Sequence, residues 1–305
     1  MSEQRSRILI FGAGVIGSTY AIKLVEAGQD VTMLARSERY RSLKENGLQY
    51  SDKGKIRSIP IKVIDTLEPE DRYDYILVAV RYDGAESALL ALKDNQSPNI
   101  VTMISNVKGF APWQAIVGER LLPAFPGVGG QIKDDVLYAR IPPKILAATR
   151  LGEINGTATE RVRTLVALFK AAKLPCTLTK DMRAYLLTHA AWDIALLGAL
   201  RLDALEENAR DTRATARQIT TSLKAYVHAL QSAGIATDPP LFRWMLRWPN
   251  GVVDRLFRAW LRTNMVKDMR RPDYASQASR EIMHLRNDLL AFLGQHRIKL
   301  DIQTQ

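Results

Sequence analysis

Residues 7–34 read RILIFGAGVIGSTYAIKLVEAGQDVTML, and the order of residue types along this stretch decides the fold. Arg7 to Phe11 is an apolar run closed by glycine, the pattern of a parallel strand covered on both faces. Ser18 to Ala27 carries a helix, Gly28 caps it, and Asp30 to Leu34 (DVTML) forms the next strand. One βαβ unit is thus complete in about 30 residues. At its turn, GAGVIG places Gly12, Ala13, Gly14, Val15, Ile16 and Gly17 between strand and helix. Gly12 serves the tight turn, Gly14 lets backbone approach a pyrophosphate, and Gly17 allows close helix-to-strand packing. The helix start then offers free amide donors and a positive dipole end to phosphates. A lone G-x-G-x-x-G is a weak signal that a ligand-free turn also satisfies. Here it follows an apolar strand, opens a helix and has a second strand at the right distance, which makes it a dinucleotide-binding fingerprint.

Further apolar runs at Ile59 to Ile64, Tyr75 to Val80, Ile100 to Ile104 and Ile145 to Thr149 alternate with helical or polar stretches, and Cys176 to Thr179 closes the series. That alternation predicts a doubly wound parallel sheet. From Met182 the periodicity becomes helical, over 182–202, 208–233, 241–269 and 274–296, with breakers at Gly234, Pro239, Pro240, Pro249, Asn250, Gly251 and Pro272. The expected class is α/β: an N-terminal Rossmann domain, 1–180, and a C-terminal all-helical domain, 181–305, for substrate binding or dimerisation.

Composition narrows the function classes. With 47% apolar and 25% charged residues over 305 positions, the chain has average globular composition and room for two cores. No apolar run is long enough to span a bilayer, and the start, MSEQRSRILIFGAG, has no signal-peptide pattern, so a cytoplasmic protein without a membrane partner is expected. The single cysteine, Cys176, excludes an internal disulfide; no metal site is expected, and in LPCTLT it reads as a buried strand residue. A net charge of +11 favours anionic ligands. Zinc-finger, basic-zipper and RNA-binding signatures are missing, so nucleic acid is not an expected partner.

The second strand ends in Ala35 and Arg36, followed by Ser37 and Arg39, where an NAD enzyme usually places an acid for the ribose hydroxyls. An acid would repel a 2′-phosphate, whereas Arg36 can hold one by paired charge-assisted hydrogen bonds. NADPH is therefore the expected cofactor, the competing reading being that Arg36 is a solvated loop charge.

GAGVIG, VTMLAR, LVAVRYDGAESAL, the Asn106 loop, LGEING and REIMHLRNDLL together resemble the ketopantoate reductase (2-dehydropantoate 2-reductase) family, from Ile8 to about Leu300. The resemblance implies an NADP-bound Rossmann domain, a helical second domain and an active site in the cleft between them. There hydride would pass to the ketone of a small 2-oxo acid, in the family's own case within pantothenate biosynthesis.

Site residues transfer from that resemblance one at a time. Arg81 stands where the family has a lysine near the cofactor. Asn106 matches the active-site asparagine, although Val107 and Lys108 separate it from Gly109; the same residue could simply cap a turn. The family's lysine acid and the asparagine four residues later fall on His189 and Asp193, which would share one helix face. A histidine held by an aspartate could donate a proton to a carbonyl oxygen as hydride arrives; it could equally be a satisfied helix residue. Glu281 matches the glutamate that orients the substrate, or else pairs with Arg280 or Arg286. Asn264 occupies the position of a substrate-binding serine. Phe242, Trp244, Met245, Trp248, Phe257 and Trp260 read as helix packing or a homodimer contact in preference to an enlarged substrate pocket.

The resulting expectation is an NADPH-dependent reductase of a ketone or 2-oxo acid, with ketopantoate itself disfavoured by the missing lysine. The alternative is a non-catalytic NADP(H)-binding sensor or regulator.

Overall fold

The computed structural model describes residues 5–205, 212–263, 266 and 272–298. The chain divides into two units, Met1–Ser105 with Phe110–Met182, and Asn106–Gly109 with Arg183–Gln305.

The first unit opens with β1 (Arg7–Phe11), α1 (Val15–Glu26), β2 (Asp30–Leu34), α2 (Ser37–Asn46), β3 (Leu48–Asp52), β4 (Lys55–Ile59), β5 (Lys62–Ile64) and β6 (Tyr75–Val78). It continues through α3 (Ala85–Ala91), β7 (Ile100–Met103), α4 (Ala111–Val117), β8 (Leu121–Phe125), β9 (Gly129–Lys133), β10 (Val136–Arg140), β11 (Thr149–Leu151), α5 (Glu160–Ala171) and β12 (Cys176–Leu178). Eight of these strands form one sheet in the order β12-β11-β8-β7-β6-β1-β2-β5. All its described neighbours run parallel except β8 and β11, which are antiparallel. The chain goes from β1 to β2 on one side and returns to β6 on the other, so strand order reverses between β1 and β6. That reversal opens a crevice at the carboxyl ends of the strands, where the glycine turn lies.

Continuous apolar runs follow from double coverage: Ile8, Leu9, Ile10, Ile76 and Val78 are fully buried. On α1, Tyr20 and Leu24 pack into the same core, and the Tyr20 ring lies 5.3 Å from that of Phe169 on α5. Cys176 is a buried strand residue at the sheet edge.

Three expectations are corrected. The run Ile59 to Ile64 is two strands: Pro60, which cannot donate to a ladder, separates β4 from β5, and they belong to different sheets. Ile145 to Thr149 is not a strand, since residues before Thr149 form a turn with Ile145 and Leu146 89% and 77% exposed. A second, four-stranded sheet, β4-β3-β10-β9, was not anticipated. Its β9 and β10 are joined by the two-residue turn Asp134-Asp135, both at positive φ, the backbone of a type I′ hairpin.

The second unit holds α6 (Met182–Leu205), which begins at the last residue of the first unit, then α7 (Thr212–Ser232), α8 (Pro240–Arg247), α9 (Asn250–Leu261) and α10 (Pro272–Gln295). The helical stretch expected over 241–269 is broken after Arg247, where Trp248 and Pro249 take extended backbone. No described helix is long and apolar enough to cross a membrane.

Candidate functional site

Gly12, at φ +113°, adopts backbone that L side chains rarely reach, and a Cβ there would stand 2.6 Å from the Ala79 carbonyl oxygen. Gly17 faces the same turn from inside α1, where a Cβ would strike the Gly12 carbonyl oxygen and lie 2.8 Å from Ile10 Cγ2. Gly14 differs: nothing lies within 4 Å of the position its Cβ would take. So Gly12 and Gly17 are glycine because protein fills the space, whereas the space in front of Gly14 is open. It caps α1 without any side-chain hydrogen bond, and the following residues, Val15 and Ile16, carry the first helical amides.

The clear space belongs to a cavity of about 380 Å³ lined by Phe11, Gly12, Ala13, Gly14, Leu34, Ala35, Arg36, Arg39 and Val80. Its walls are backbone and apolar side chains plus two guanidinium groups. A dinucleotide fits this donor set: amides at the helix start suit a diphosphate, and cations at the end of β2 suit a further phosphate. Arg36 is exposed, at the start of α2. Arg81 is also exposed, just beyond Val80 at the entry to a short 3₁₀ turn.

Arg39, three residues beyond Arg36, is the better-anchored cation and a site residue that the sequence alone does not single out. Its side chain is 18% exposed, and Nε donates to the Ala13 carbonyl at 3.3 Å. Nη2 reaches Ser18 Oγ at 3.5 Å, while Nη1 donates to both the carbonyl and Oδ1 of Asp135, each at 3.2 Å. Ser18 Oγ also donates to the Ala13 carbonyl at 3.3 Å, so two donors brace the middle of the glycine turn. The sequence signal was helical spacing: Arg39 lies in the first turn of α2, which returns it toward the strand end.

In the second unit, His189 and Asp193 lie one turn apart on α6, with Nδ1 and Oδ2 3.0 Å apart and the side chains 23% and 22% exposed. The Tyr185 ring lies 5.7 Å from the imidazole. The His189 and Asp193 side chains are thus partly open to solvent, and the imidazole is oriented through Nδ1. Trp192, also on α6, stacks on Phe242 at 5.2 Å and packs on Phe257 at 5.7 Å. Packing thus absorbs Phe242 and Phe257, whereas Trp244 and Trp248 are 60% and 40% exposed.

Asn106 is buried, and its carboxamide is engaged at both ends: Nδ2 donates to the Gly109 carbonyl at 3.0 Å and Oδ1 accepts from Gly109 N at 2.8 Å. The glycine three places on, at φ +92°, closes this loop against the Arg183 guanidinium. That guanidinium also lies over the Phe292 ring at 5.4 Å, and Lys108 pairs with Asp288 at 3.6 Å. Glu281 is half-buried on α10. Asn264 lies outside the described residues.

Glu153, within LGEING, has a structural part that sequence reasoning did not assign. Arg161 grips it with two hydrogen bonds, Nε to Oε1 at 2.7 Å and Nη2 to Oε2 at 2.6 Å, and Thr159 Oγ1 donates at 2.5 Å. Burial alone would raise its carboxyl, but the Arg161 and Thr159 hydrogen bonds and the Arg161 charge outweigh burial and hold it below the ordinary carboxylate value.

Residues 8–122 match the sequence profile described as ketopantoate reductase PanE/ApbA. The chain is similar to a 2-dehydropantoate 2-reductase of Mesorhizobium japonicum, 28% identical over 203 residues, covering 58% of this chain and 61% of that protein. The chain therefore spans less than two thirds of that relative's length. It is 24% identical over 246 residues to an uncharacterized oxidoreductase, YkpB, of Bacillus subtilis, covering 77% and 78% of the two chains. In fold it is similar to a D-mandelate dehydrogenase solved with NADH and anilino(oxo)acetate, with a TM-score of 0.68, 13% identity and 96% and 100% coverage. A 2-dehydropantoate 2-reductase from Methylococcus capsulatus gives a TM-score of 0.64 at 19% identity, covering 95% of this chain and 97% of that one.

Proposed function

As a member of the ketopantoate reductase family through its residues 8–122, this chain, we propose, is an NADPH-dependent reductase that converts a ketone or 2-oxo acid into the corresponding alcohol. One observation carries the reading: a cavity that begins at the vacant side of Gly14 and ends at two arginines, with Ala35 where an acid would select NAD. When bound, NADPH would supply the hydride.

The chain's own residues have the remaining tasks. Gly12, Gly14 and Gly17 shape the turn that receives the diphosphate, and the amides at the start of α1 neutralise it. Arg36 answers the 2′-phosphate, with Arg81 as a further cation nearby in the chain. His189, oriented through Nδ1 by Asp193, donates a proton from Nε2 to the carbonyl oxygen as negative charge develops there. Asn106, Glu281 and Asn264 are assigned to holding the nicotinamide ribose or the substrate by hydrogen bonds. Because histidine replaces the family lysine, the substrate class is 2-oxo acids and ketones broadly, with ketopantoate one member to be tried. A cytoplasmic location suits a reductase drawing on NADPH. Its partners are then small keto substrates and, through the helical unit, a second copy of the chain.

The test is NADPH binding by fluorescence titration beside NADPH oxidation over a panel of 2-oxo acids and ketones. Binding with turnover of at least one substrate is expected. Failure to bind either nicotinamide cofactor overturns the reading, and binding without oxidation across the panel favours a sensor.

A further inference from the structure

The β9–β10 hairpin brings a carboxylate to the cation that borders the cavity. Asp135 and Asp134 sit at φ +60° and +50°, so the two-residue turn is tightly defined, and it directs both the carbonyl and the carboxylate of Asp135 at Arg39 Nη1. Asp135 is 54% exposed, whereas Arg39 is mostly buried and tied on its other edges to Ala13 and Ser18. The guanidinium is therefore the fixed partner and the carboxylate the movable one. Arg39 lines the same cavity as Arg36, at the end of β2 where a phosphorylated ribose would lie if the function proposed above holds.

We infer that Arg39 is a second phosphate-selecting cation and that Asp135 sets how strongly it discriminates between phosphorylated and unphosphorylated dinucleotides. This inference rests on the proposed NADPH reading. A 2′-phosphate and the Asp135 carboxylate are both anions seeking the Nη1 edge, so each weakens the other's hold. An unphosphorylated ribose carries no such charge. It leaves the Arg39–Asp135 pair intact. Asp135 thus acts on the cavity from a neighbouring sheet, through Arg39. Its presence moderates the preference that Arg36 and Arg39 impose.

The experiment measures Kd for NADPH and for NADH by fluorescence titration on the wild-type chain and on Asp135→Asn and Arg39→Gln. Asparagine tolerates positive φ and keeps the main-chain carbonyl that Arg39 uses, so Asp135→Asn removes charge with the turn retained. It should tighten NADPH and leave NADH unchanged or weaker, raising the NADPH-over-NADH preference about threefold or more, in the range of one partly exposed charge. Arg39→Gln should lower that preference about tenfold, the loss of one charge-assisted phosphate contact. If the wild-type chain binds a nicotinamide cofactor but Asp135→Asn leaves the preference within a factor of about two, this inference fails and the cofactor reading stands. If the wild-type chain binds neither cofactor, both fall. Asp135→Gly, also compatible with φ +60°, should act in the same direction as Asp135→Asn, and an opposite shift counts against the inference.

Discussion

His189 Nδ1 and Asp193 Oδ2 meet at 3.0 Å across one turn of α6, the i, i+4 spacing that brings imidazole and carboxylate to one helix face. Replacing His189 by alanine removes the proposed proton donor, and a positioned donor typically contributes about 10²–10⁴-fold. The expected outcome for His189→Ala is a fall in kcat of that size with an accepted substrate and little change in NADPH affinity. Asp193→Asn should lower kcat by a smaller factor, because the ring keeps a hydrogen-bonding neighbour but loses the charge opposite it. Steady-state kinetics beside cofactor titration reads both; a drop below about tenfold for His189→Ala removes the acid role.

Gly14 and Gly17 should respond oppositely to the same added methyl group. For Gly17→Ala the new carbon meets a backbone oxygen that cannot swing away, and a stability loss of about 1–3 kcal/mol or more is expected in thermal or denaturant melts. For Gly14→Ala the methyl enters open space, so stability should hold to within about 1 kcal/mol, the scale of a changed cap residue. Dinucleotide affinity should nevertheless fall about tenfold or more, since the methyl occupies the route by which a diphosphate approaches the amides. A Gly14→Ala protein that binds NADPH as tightly as wild type contradicts the assignment of the cavity.

The exposed and buried aromatics of the helical unit give a third contrast. Phe257 is buried and packs on Trp192, so Phe257→Ala should cost about 3–5 kcal/mol. Trp244 is 60% exposed, and Trp244→Ala should stay within about 0.5 kcal/mol in the isolated chain. Urea melts of both variants check the pair.

The sequence was most readable where the chain is buried on both sides. The ILIF run, the glycine turn and DVTML announce β1, α1 and β2 because complete burial leaves only apolar residues and close approach leaves only glycine. The second sheet was not readable: LQYSD, KIRSI and GGQIK are short, polar and mostly half-buried or exposed, so they carry neither an apolar run nor a clean alternation. Ile145 misled for the opposite reason, an apolar residue left in solvent beside the breakers Pro142 and Pro143. At the site, GAGVIG and Arg36 were local and therefore visible. Arg39 acquires its meaning from Asp135, 96 residues later, and no spacing rule connects them. Likewise the partner of Asn106 is Gly109, reached across an inserted Val107 and Lys108 that obscured the loop.

Glu153 supplies a pH-dependent contribution to stability whose sign follows from its depressed carboxyl. A group that ionises more readily when folded stabilises the protein above its unfolded value, here 4.5, and that contribution disappears as pH falls through the lower folded value. Glu153→Gln should therefore melt below wild type at pH 7, and the gap should close progressively below about pH 4.5 as the wild-type carboxylate is protonated. Arg161→Ala should be worse than Glu153→Gln at neutral pH, since it strands a buried carboxylate at a cost of about 3–5 kcal/mol. Arg161 also donates to the Glu119 and Leu121 carbonyls, which the alanine variant abandons. Thermal melts of the three proteins from pH 3 to pH 8 test this, and a gap between wild type and Glu153→Gln that stays constant with pH would show that folding does not shift the Glu153 carboxyl.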